Sequence, residues 1–472
     1  MTAVPLRASF HDPDGSVFLA QGRVLRALRP QAAARLATFL NTPTCRELHA
    51  AGQLPGTRQL LPDEGPSALS GQVHPDAVWF EHERLPFINY PHEWLPEQLS
   101  EAGRATLAVT EALRSAGWDL KDGNVRNVIF NGLRPVFVDH GSMVLRDDAH
   151  AVWRPAGQLQ RHVLLPLLLR VRRGTAPAAL LLARPDGVSH AEAYAALAGC
   201  RYTDSQAFWL CTLPALLGRR GGGIVAQTQF TPEVCRAAAD RTVRSLRKRL
   251  AVLESRLPPP HSHWSGYEAS RQHYSADQLA VKRRAIERML KRTVSLQMLD
   301  IGTNGGEYSN VAASLGHRVV SIDNDSDALS AARHSTRAAS LDVLHLIVDF
   351  ASPTPALGWN GAECQSFDQR CEGAFDLVMG LAVMHHILVS GGIPLQEMVA
   401  KLARYTRREL IIEYVDPSDP KFAEIAAQRG LNFSSLNRTV FETAVGRHFR
   451  IEEQVEIVPQ HRCLYRCARL AA

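Results

Sequence analysis

The chain has 472 residues, of which 45% are hydrophobic and 21% charged, and its formal net charge is +6. These are ordinary values for a globular protein, no apolar run reaches membrane-spanning length, and the length predicts two or three domains. The arginines are spread along the chain rather than massed with aromatic residues, a pattern that does not indicate a nucleic-acid partner.

Residues 1–7 have neither the apolar core nor the cleavage pattern of a secretory signal, so we expect a cytoplasmic protein with no membrane partner. The eight cysteines do not suggest a disulfide framework in a chain this long. The pairs Cys364/Cys371 and Cys463/Cys467 lack C-x-x-C spacing. Buried reduced thiols are therefore expected, and we predict no metal centre from the cysteines.

The first predicted element is a hairpin over residues 16–28 with its turn at Gln21-Gly22. Residues 118–141 then predict a loop, a strand, a turn at Asn131-Gly132 and a second strand. In that segment Asp122, Asn127 and Asp139 are spaced by five and twelve residues.

This spacing resembles the catalytic loop and the D-x-G element of kinase-like phosphotransferases. The resemblance implies that the Asp139 carboxylate and the Asn127 amide hold Mg²⁺, with Asp122 accepting a hydroxyl proton. One departure weakens it, because Lys121 is the only lysine before Lys248 and no upstream lysine can clamp ATP phosphates. Arg26 would have to substitute.

Three interpretations of residues 1–255 follow. We favour a degenerate kinase-like domain that serves as an accessory or substrate-docking domain. The alternatives are an active kinase that uses Mg-ATP at the three polar residues, which would make the protein bifunctional, and a purely structural pair of strands.

Residues 151–253 have a helical pattern that we expect to break at Pro155, Pro166 and Pro177. The prolines at 258–260 then end this helical lobe and favour an extended spacer. We assign residues 256–280 to a linker ahead of a helix over 276–290, and its aromatic residues Tyr267 and Tyr274 are candidates to cover a ligand of the domain that follows. The alternative role of these aromatic residues is packing.

Residues 296–323 predict a buried strand, a glycine turn, a helix and a second strand that ends at Asp323. Gly302 and Gly306 let the backbone approach a ligand, and Asn304 is the non-glycine type that best tolerates a left-handed conformation. The Asp323 carboxylate is placed to accept hydrogen bonds from the hydroxyls of a ribose.

The turn lacks the dinucleotide fingerprint G-x-G-x-x-G, because Asn304 and Glu307 stand where its second and third glycines belong. The motif begins with an acidic residue, Asp300, which suits a ligand that carries positive charge and no phosphate. S-adenosylmethionine is such a ligand. Residues 281–472 resemble a class I S-adenosylmethionine-dependent methyltransferase, with residues 300–306 as its first motif and Asn304 in place of the usual middle glycine.

That resemblance implies a Rossmann-like α/β sheet with a terminal antiparallel hairpin. Three further strands are predicted at 344–349, 375–380 and 409–415, and the hairpin falls within 449–470, around Pro459. Asp349 would bind the adenine amine, and Leu381, after the fourth strand, belongs to the same cofactor site. The fold class is therefore α/β, preceded by an α+β kinase-like domain with a helical lobe.

Methyl transfer from a sulfonium mainly requires that the acceptor be positioned and water excluded. If the acceptor is a hydroxyl or an ammonium group, a base must take its proton, and His385 or His386 is our candidate, since an imidazole has a pKa of about 6.5. Adjacent side chains point in different directions, so at most one of the two reaches the acceptor. Glu413, at the end of the fifth strand, is a weaker candidate for orienting it.

Both halves together resemble a bacterial family that includes nodulation-associated methyltransferases of rhizobia. The segments that carry this resemblance are residues 86–94, the Leu-Lys-Asp loop at 120–122, Gly358-Trp359 with Glu363, and residues 383–387. It implies a small-molecule acceptor in specialised metabolism and leaves the acceptor atom open. A noncatalytic cofactor-binding scaffold is the remaining alternative.

Overall fold

The computed structural model describes residues 4–6, 9, 11–61, 64–66, 73–219, 230–259, 274–291 and 295–471. The chain forms two compact units. The first comprises residues 1–258 and 357–364, and the second comprises residues 259–356 and 365–472.

In the described part of the first unit, the initial strands form a five-stranded antiparallel sheet in the order β1-β2-β3-β5-β4. Its elements in chain order are β1 (Val4–Leu6), β2 (Gly15–Ala20), β3 (Arg23–Leu28), α1 (Pro30–Leu40), α2 (Pro43–Ala50), β4 (Thr57–Gln59) and β5 (Val78–His82). Gln21 and Gly22 have φ of 50° and 80°. Two successive positive φ values match the right-handed twist of flanking strands, which confirms the predicted hairpin.

Two further strand pairs follow the long helix α3 (Pro96–Ser115). They are β6 (Trp118–Leu120) with β9 (Met143–Leu145), and β7 (Val128–Asn131) with β8 (Arg134–Phe137). Because Asn131 pairs with Arg134, the turn is Gly132-Leu133, one residue later than predicted, and Gly132 supplies the positive φ of 59°. Because β6 and β9 are antiparallel, the segment that follows β6 and the segment that precedes β9 lie at the same end of this strand pair.

Helices predominate in the described residues of the first unit between β9 and residue 254. They are α4 (Ala156–Leu159), α5 (Leu165–Arg173), α6 (Pro177–Ala183), α7 (His190–Ala196), α8 (Ser205–Ala207), α9 (Leu213–Arg219) and α10 (Pro232–Glu254). The predicted break at Pro166 is wrong. A π-turn at Gln160–Leu164 joins α4 to α5 without interruption, and such turns absorb the hydrogen bond that a proline cannot make.

The described strands of the second unit form a seven-stranded sheet in the order β12-β11-β10-β13-β14-β16-β15. The first five in that order are parallel, and β16 is antiparallel to both of its neighbours. The strands are β10 (Gln297–Ile301), β11 (Arg318–Asp323), β12 (Val343–Ile347), β13 (Phe375–Gly380), β14 (Thr406–Val415), β15 (Phe449–Val458) and β16 (Arg462–Arg469). All five parallel strands and the terminal hairpin lie where the sequence predicts them.

Helices cover the sheet of the second unit. They are α11 (Ala276–Lys291), α12 (Glu307–Ser314), α13 (Ser326–Ala338), α14 (Phe367–Cys371), α15 (Leu395–Tyr405), α16 (Pro420–Gln428) and α17 (Arg438–Gly446). Ile286 and Met289 of α11 lie in one apolar cluster with Met298, Met379 and Ile411 of the central strands. This packing buries those strands and explains their nearly continuous apolar sequence.

The strand order reverses between β10 and β13. From β10 the chain first adds β11 and β12 on one side, and then β13 and β14 on the other. A crevice forms at the carboxyl ends of parallel strands where the order reverses, and this is where open α/β sheets bind ligands.

All eight cysteines are free thiols, and seven of them are buried. Within the described ranges, none of the helices combines the length and apolar character needed to cross a bilayer.

Candidate functional site

The turn after β10 borders this crevice and has three residues in the left-handed region. Gly302, Asn304 and Gly306 have φ of 70°, 48° and 79°. A Cβ atom on Gly306 would lie 2.8 Å from the Cβ of Ala332 in α13, so glycine is required there for close packing as well as for its φ. The predicted conformational role of Asn304 is confirmed.

Asp323 is fixed directly beside this turn. The Asn304 amide donates to its Oδ2 at 2.9 Å, and the Asp325 amide donates to its Oδ1 at 3.1 Å. Burial raises the pKa of Asp323, and these backbone bonds counteract the rise. The carboxylate therefore stands at the tip of β11 within hydrogen-bond reach of the turn backbone.

Asp300 is buried beneath the turn. Ser309 of α12 donates its hydroxyl to Oδ2 at 2.5 Å and also contacts the Thr303 hydroxyl at 2.9 Å. Burial raises the pKa of Asp300 to about 6. This carboxyl group thus ties the end of β10 to the first turns of α12.

Asp349 and Leu381 lie beyond the ends of two other parallel strands. The Val348 amide donates to the Asp323 carbonyl at 2.9 Å, and Asp349 accepts a bond from the Ala351 amide at 2.8 Å. Leu381 follows β13 and packs partly buried against the apolar cluster of the sheet. These positions place both residues at the same edge as Asp323, as the sequence predicts, while their binding roles stay predictions.

Glu413 lies inside a buried ionic cluster that the sequence did not predict. Its carboxylate accepts bonds from Lys282 Nζ at 2.7 Å and from the Tyr274 hydroxyl at 2.9 Å. Arg462 holds Asp419 through two bonds of 2.7 and 3.0 Å and also donates to Tyr274. We call these five residues the Glu413 cluster.

The Glu413 cluster is electrically balanced, with two carboxylates and two cations, and Glu413 is 0% exposed. Burial pushes the pKa of Glu413 upward, but Lys282 and Arg462 outweigh it and hold the pKa below its ordinary value. An ionised carboxylate that already accepts two hydrogen bonds is better suited to anchoring Tyr274 and α11 at this edge of the sheet than to taking a proton. Tyr267, the second predicted aromatic residue, lies outside the described residues.

His385 and His386 follow β13 at the same edge, and their ring centroids are 4.2 Å apart. His385 is 1% exposed, stacks on Phe422, and has no hydrogen-bond partner for either ring nitrogen among the described residues. His386 is only partly buried. Burial, with the nearby charges of Lys421 and Arg462, lowers the pKa of His386 to about 4, and burial beside His386 lowers the pKa of His385 well below its usual range. These shifts favour the neutral form of both rings.

In the first unit, the loops that carry Asp122, Asn127 and Asp139 are bonded to each other. The Asp122 amide donates to Ser142 Oγ at 3.0 Å, and the Val138 amide donates to the Asn127 carbonyl at 2.8 Å. Gln158 donates to the Asp122 side chain at 3.1 Å, and both Arg26 and the Gly141 amide donate to Asp139 Oδ1, at 2.9 and 3.0 Å. The residue expected to replace the missing lysine therefore contacts the D-x-G aspartate.

No cluster of three or more His, Cys, Asp or Glu side chains suited to holding a metal ion occurs in the part of the chain that the structure describes.

No family model matches the sequence. A curated relative does: the chain is 29% identical to nodulation protein NoeA of Rhizobium meliloti (strain 1021), over 97% of this chain and 94% of that protein. This chain resembles NoeA along almost its whole length. The resemblance to the nodulation-associated family is thereby confirmed and spans both units.

Two solved structures are also similar. Magnesium protoporphyrin IX methyltransferase (ChlM) from Synechocystis PCC 6803 with bound SAH is 16% identical, with a TM-score of 0.32, over 44% of this chain and 94% of that chain. The N-methyltransferase NodS from Bradyrhizobium japonicum WM9 is 12% identical, with a TM-score of 0.30, over 41% of this chain and 98% of that chain. With scores this low, the fold assignment rests on the strand order and the turn described above.

Proposed function

We propose that this chain is an S-adenosylmethionine-dependent methyltransferase that acts on a small-molecule acceptor. The observation that carries the proposal is the crevice between β10 and β13, where a left-handed turn faces the Asp323 carboxylate. A nucleoside fits such a crevice because backbone and carboxylate there can bond its ribose.

The charges at the turn favour this cofactor over a dinucleotide. Helix α12 begins at Glu307, whose carboxylate stands in the first turn. A pyrophosphate would bind at that helix N-terminus, and a carboxylate there repels it. The same carboxylate, with Asp300 nearby in the chain, suits a ligand with ammonium and sulfonium groups.

The residues of the second unit divide the work as follows. Asp323 accepts the ribose hydroxyls and Asp349 the adenine amine, while Gly302, Asn304 and Gly306 provide backbone that a ligand can approach closely. The bound cofactor would supply the electrophilic methyl group. The Glu413 cluster holds Tyr274 at the carboxyl edge, where an aromatic ring helps to exclude water.

His386 faces the acceptor in this scheme. With a pKa of about 4, it is a weak base at neutral pH, and the ideal base has a pKa near the working pH. It therefore suits an acceptor that loses its proton readily or one that only needs a hydrogen bond for alignment. Since the relative is a nodulation protein, we place the reaction in specialised metabolism.

We assign the first unit to a kinase-like accessory domain. Two helices between β3 and β4, the β6-β9 pairing around the Asp122 loop, and an arginine beside Asp139 support this assignment. Arg26 donates to Asp139 Oδ1, an oxygen that Mg²⁺ would otherwise use. This contact favours an accessory role over phosphotransfer with Mg-ATP.

Titration calorimetry with S-adenosylmethionine, followed by transfer of labelled methyl groups into a small-molecule cell extract, tests the function. Asp323→Ala should abolish cofactor binding, and Glu397→Ala, which removes an exposed carboxylate of the same unit, should leave it unchanged. Normal cofactor affinity in Asp323→Ala would overturn the site. Binding without transfer to any component of the extract would favour the noncatalytic scaffold.

A further inference from the structure

Two carboxylates in the segment between β1 and β2 contact cations from three other elements. Asp12 Oδ2 accepts a bond from Arg26 Nη2 at 2.6 Å. Asp14 Oδ2 accepts one from Arg35 Nη2 at 2.8 Å and lies 3.7 Å from Lys121 Nζ. Strand β3, helix α1 and the loop after β6 thus each contribute one cation to a single short acidic loop.

Arg26 is the centre of this arrangement. Its side chain is 8% exposed and bridges the loop to Asp139, with Nη1 bonded to Asp139 Oδ1 at 2.9 Å. A Cβ atom on Gly141 would lie 2.3 Å from Arg26 Nη2, so the Asp139-His140-Gly141 segment admits the guanidinium only because residue 141 is glycine. The positive charges of Arg26, Arg35 and Lys121 are then balanced by the carboxylates of Asp12, Asp14 and Asp139.

We propose that Arg26, Arg35 and Lys121 form a binding site for the phosphates of a nucleoside di- or triphosphate, and that Asp12 and Asp14 fill this site from within the chain. A glycine-rich loop covers the phosphates in kinase-like enzymes, and it must present backbone N–H groups without negative charge. Here the loop between the first two strands carries Asp12-Pro13-Asp14 instead. Its carboxylates satisfy the cations and repel phosphate, so the site is closed to nucleotides while the loop is seated.

The arrangement differs from an ordinary surface ion pair. Exposed pairs contribute little and are easily exchanged for water, whereas the Arg26 guanidinium is buried and depends on anionic partners. A ligand that displaces Asp12 must therefore provide anionic oxygens of its own. This inference concerns the first unit and does not depend on methyl transfer.

The test is calorimetric titration of Mg-ATP into the full-length protein and into Asp12→Asn/Asp14→Asn. The wild type should give no saturable heat at millimolar nucleotide, and the double variant should bind at least about tenfold more tightly, because like-charge repulsion is removed. Adding Arg26→Gln to the double variant should abolish the gain. Equal binding by wild type and double variant, or no binding by a folded double variant, would overturn the proposal.

Circular dichroism and thermal unfolding establish whether the double variant is folded. If it is not, Asp14→Asn alone decides, because Asp14 is partly exposed and its loss leaves the Arg26 contacts in place. This single variant should bind Mg-ATP more tightly than the wild type, and an unchanged affinity would count against the site. Retained S-adenosylmethionine binding in every variant shows that the second unit is intact.

Discussion

Replacing Glu413 by glutamine should destabilise the second unit by about 3 kcal/mol. Glutamine keeps the shape of the side chain and can still accept a bond from Tyr274, but the buried Lys282 ammonium loses its counter-charge. Breaking a buried ion pair from one side costs about 3 to 5 kcal/mol, and we take the lower end because the amide oxygen retains one bond. For a unit of this size, the loss corresponds to a fall in Tm of roughly 6–12 °C.

Thermal unfolding followed by circular dichroism measures this change. The matched control is Glu456→Gln, which removes a partner of Arg438 in an exposed ion pair of the same unit and should cost less than about 1 kcal/mol. Combining Glu413→Leu with Lys282→Met removes both charges and should recover much of the lost stability, because no buried ion is then left unpaired.

The pH dependence gives a second check. The folded-state pKa of Glu413 lies below its ordinary value of 4.5, so its contribution to stability is present above that pH and disappears as the pH falls through the folded pKa. The difference in Tm between wild type and Glu413→Gln should therefore be constant near neutrality and narrow below pH 4.5. A fall in Tm no larger than that of Glu456→Gln, or a difference that does not depend on pH, would refute the argument.

Three further predictions concern the crevice. Gly306→Ala should weaken S-adenosylmethionine binding at least about tenfold and lower Tm, because a side chain at φ 79° is strained and meets Ala332; unchanged calorimetric affinity would contradict this. Asp300→Asn should stabilise the protein relative to the wild type by an amount that grows as the pH rises from the ordinary Asp pKa of 3.8 to about 6 and stays constant above it, because burial raises the folded pKa of Asp300 while the unfolded chain ionises first. Tm curves of the two proteins that stay parallel over this pH range would disprove it. His386→Ala should leave cofactor affinity unchanged and lower the rate of methyl transfer roughly 10²-fold or more, as expected for a group that acts on the acceptor. A wild-type rate of methyl transfer in a single-turnover assay would exclude that role.

The parallel sheet could be predicted well because each of its strands is marked by a short stretch of sequence. Each central strand is a short apolar run bounded by glycine or an acidic residue, and the left-handed turn needs residue types that can be identified one position at a time. Arg26, which would have to replace the missing lysine, contacts Asp139, and its role toward a nucleotide stays a prediction.

The Glu413 cluster was missed for the opposite reason. Lys282 appears in the sequence as one of several basic residues on a helix, and 131 positions separate it from Glu413. Its partner is decided by how α11 packs across the sheet, which no window of sequence reveals. The failed break at Pro166 has a similar origin, because the helix absorbs the proline through a π-turn that tertiary packing stabilises.

The position of β16 inside the sheet makes the pairing of β15 depend on the last strand of the chain. Strand β15 precedes β16 along the chain, yet β16 is the strand that joins β15 to β14. Strand β15 therefore has no strand to pair with until residues 462–469 lie between it and β14, and an unpaired strand edge is prone to pair with another chain. Arg462, the first residue of β16, forms the ion pair with Asp419, so the strand that closes the sheet also supplies the counter-charge of this buried carboxylate.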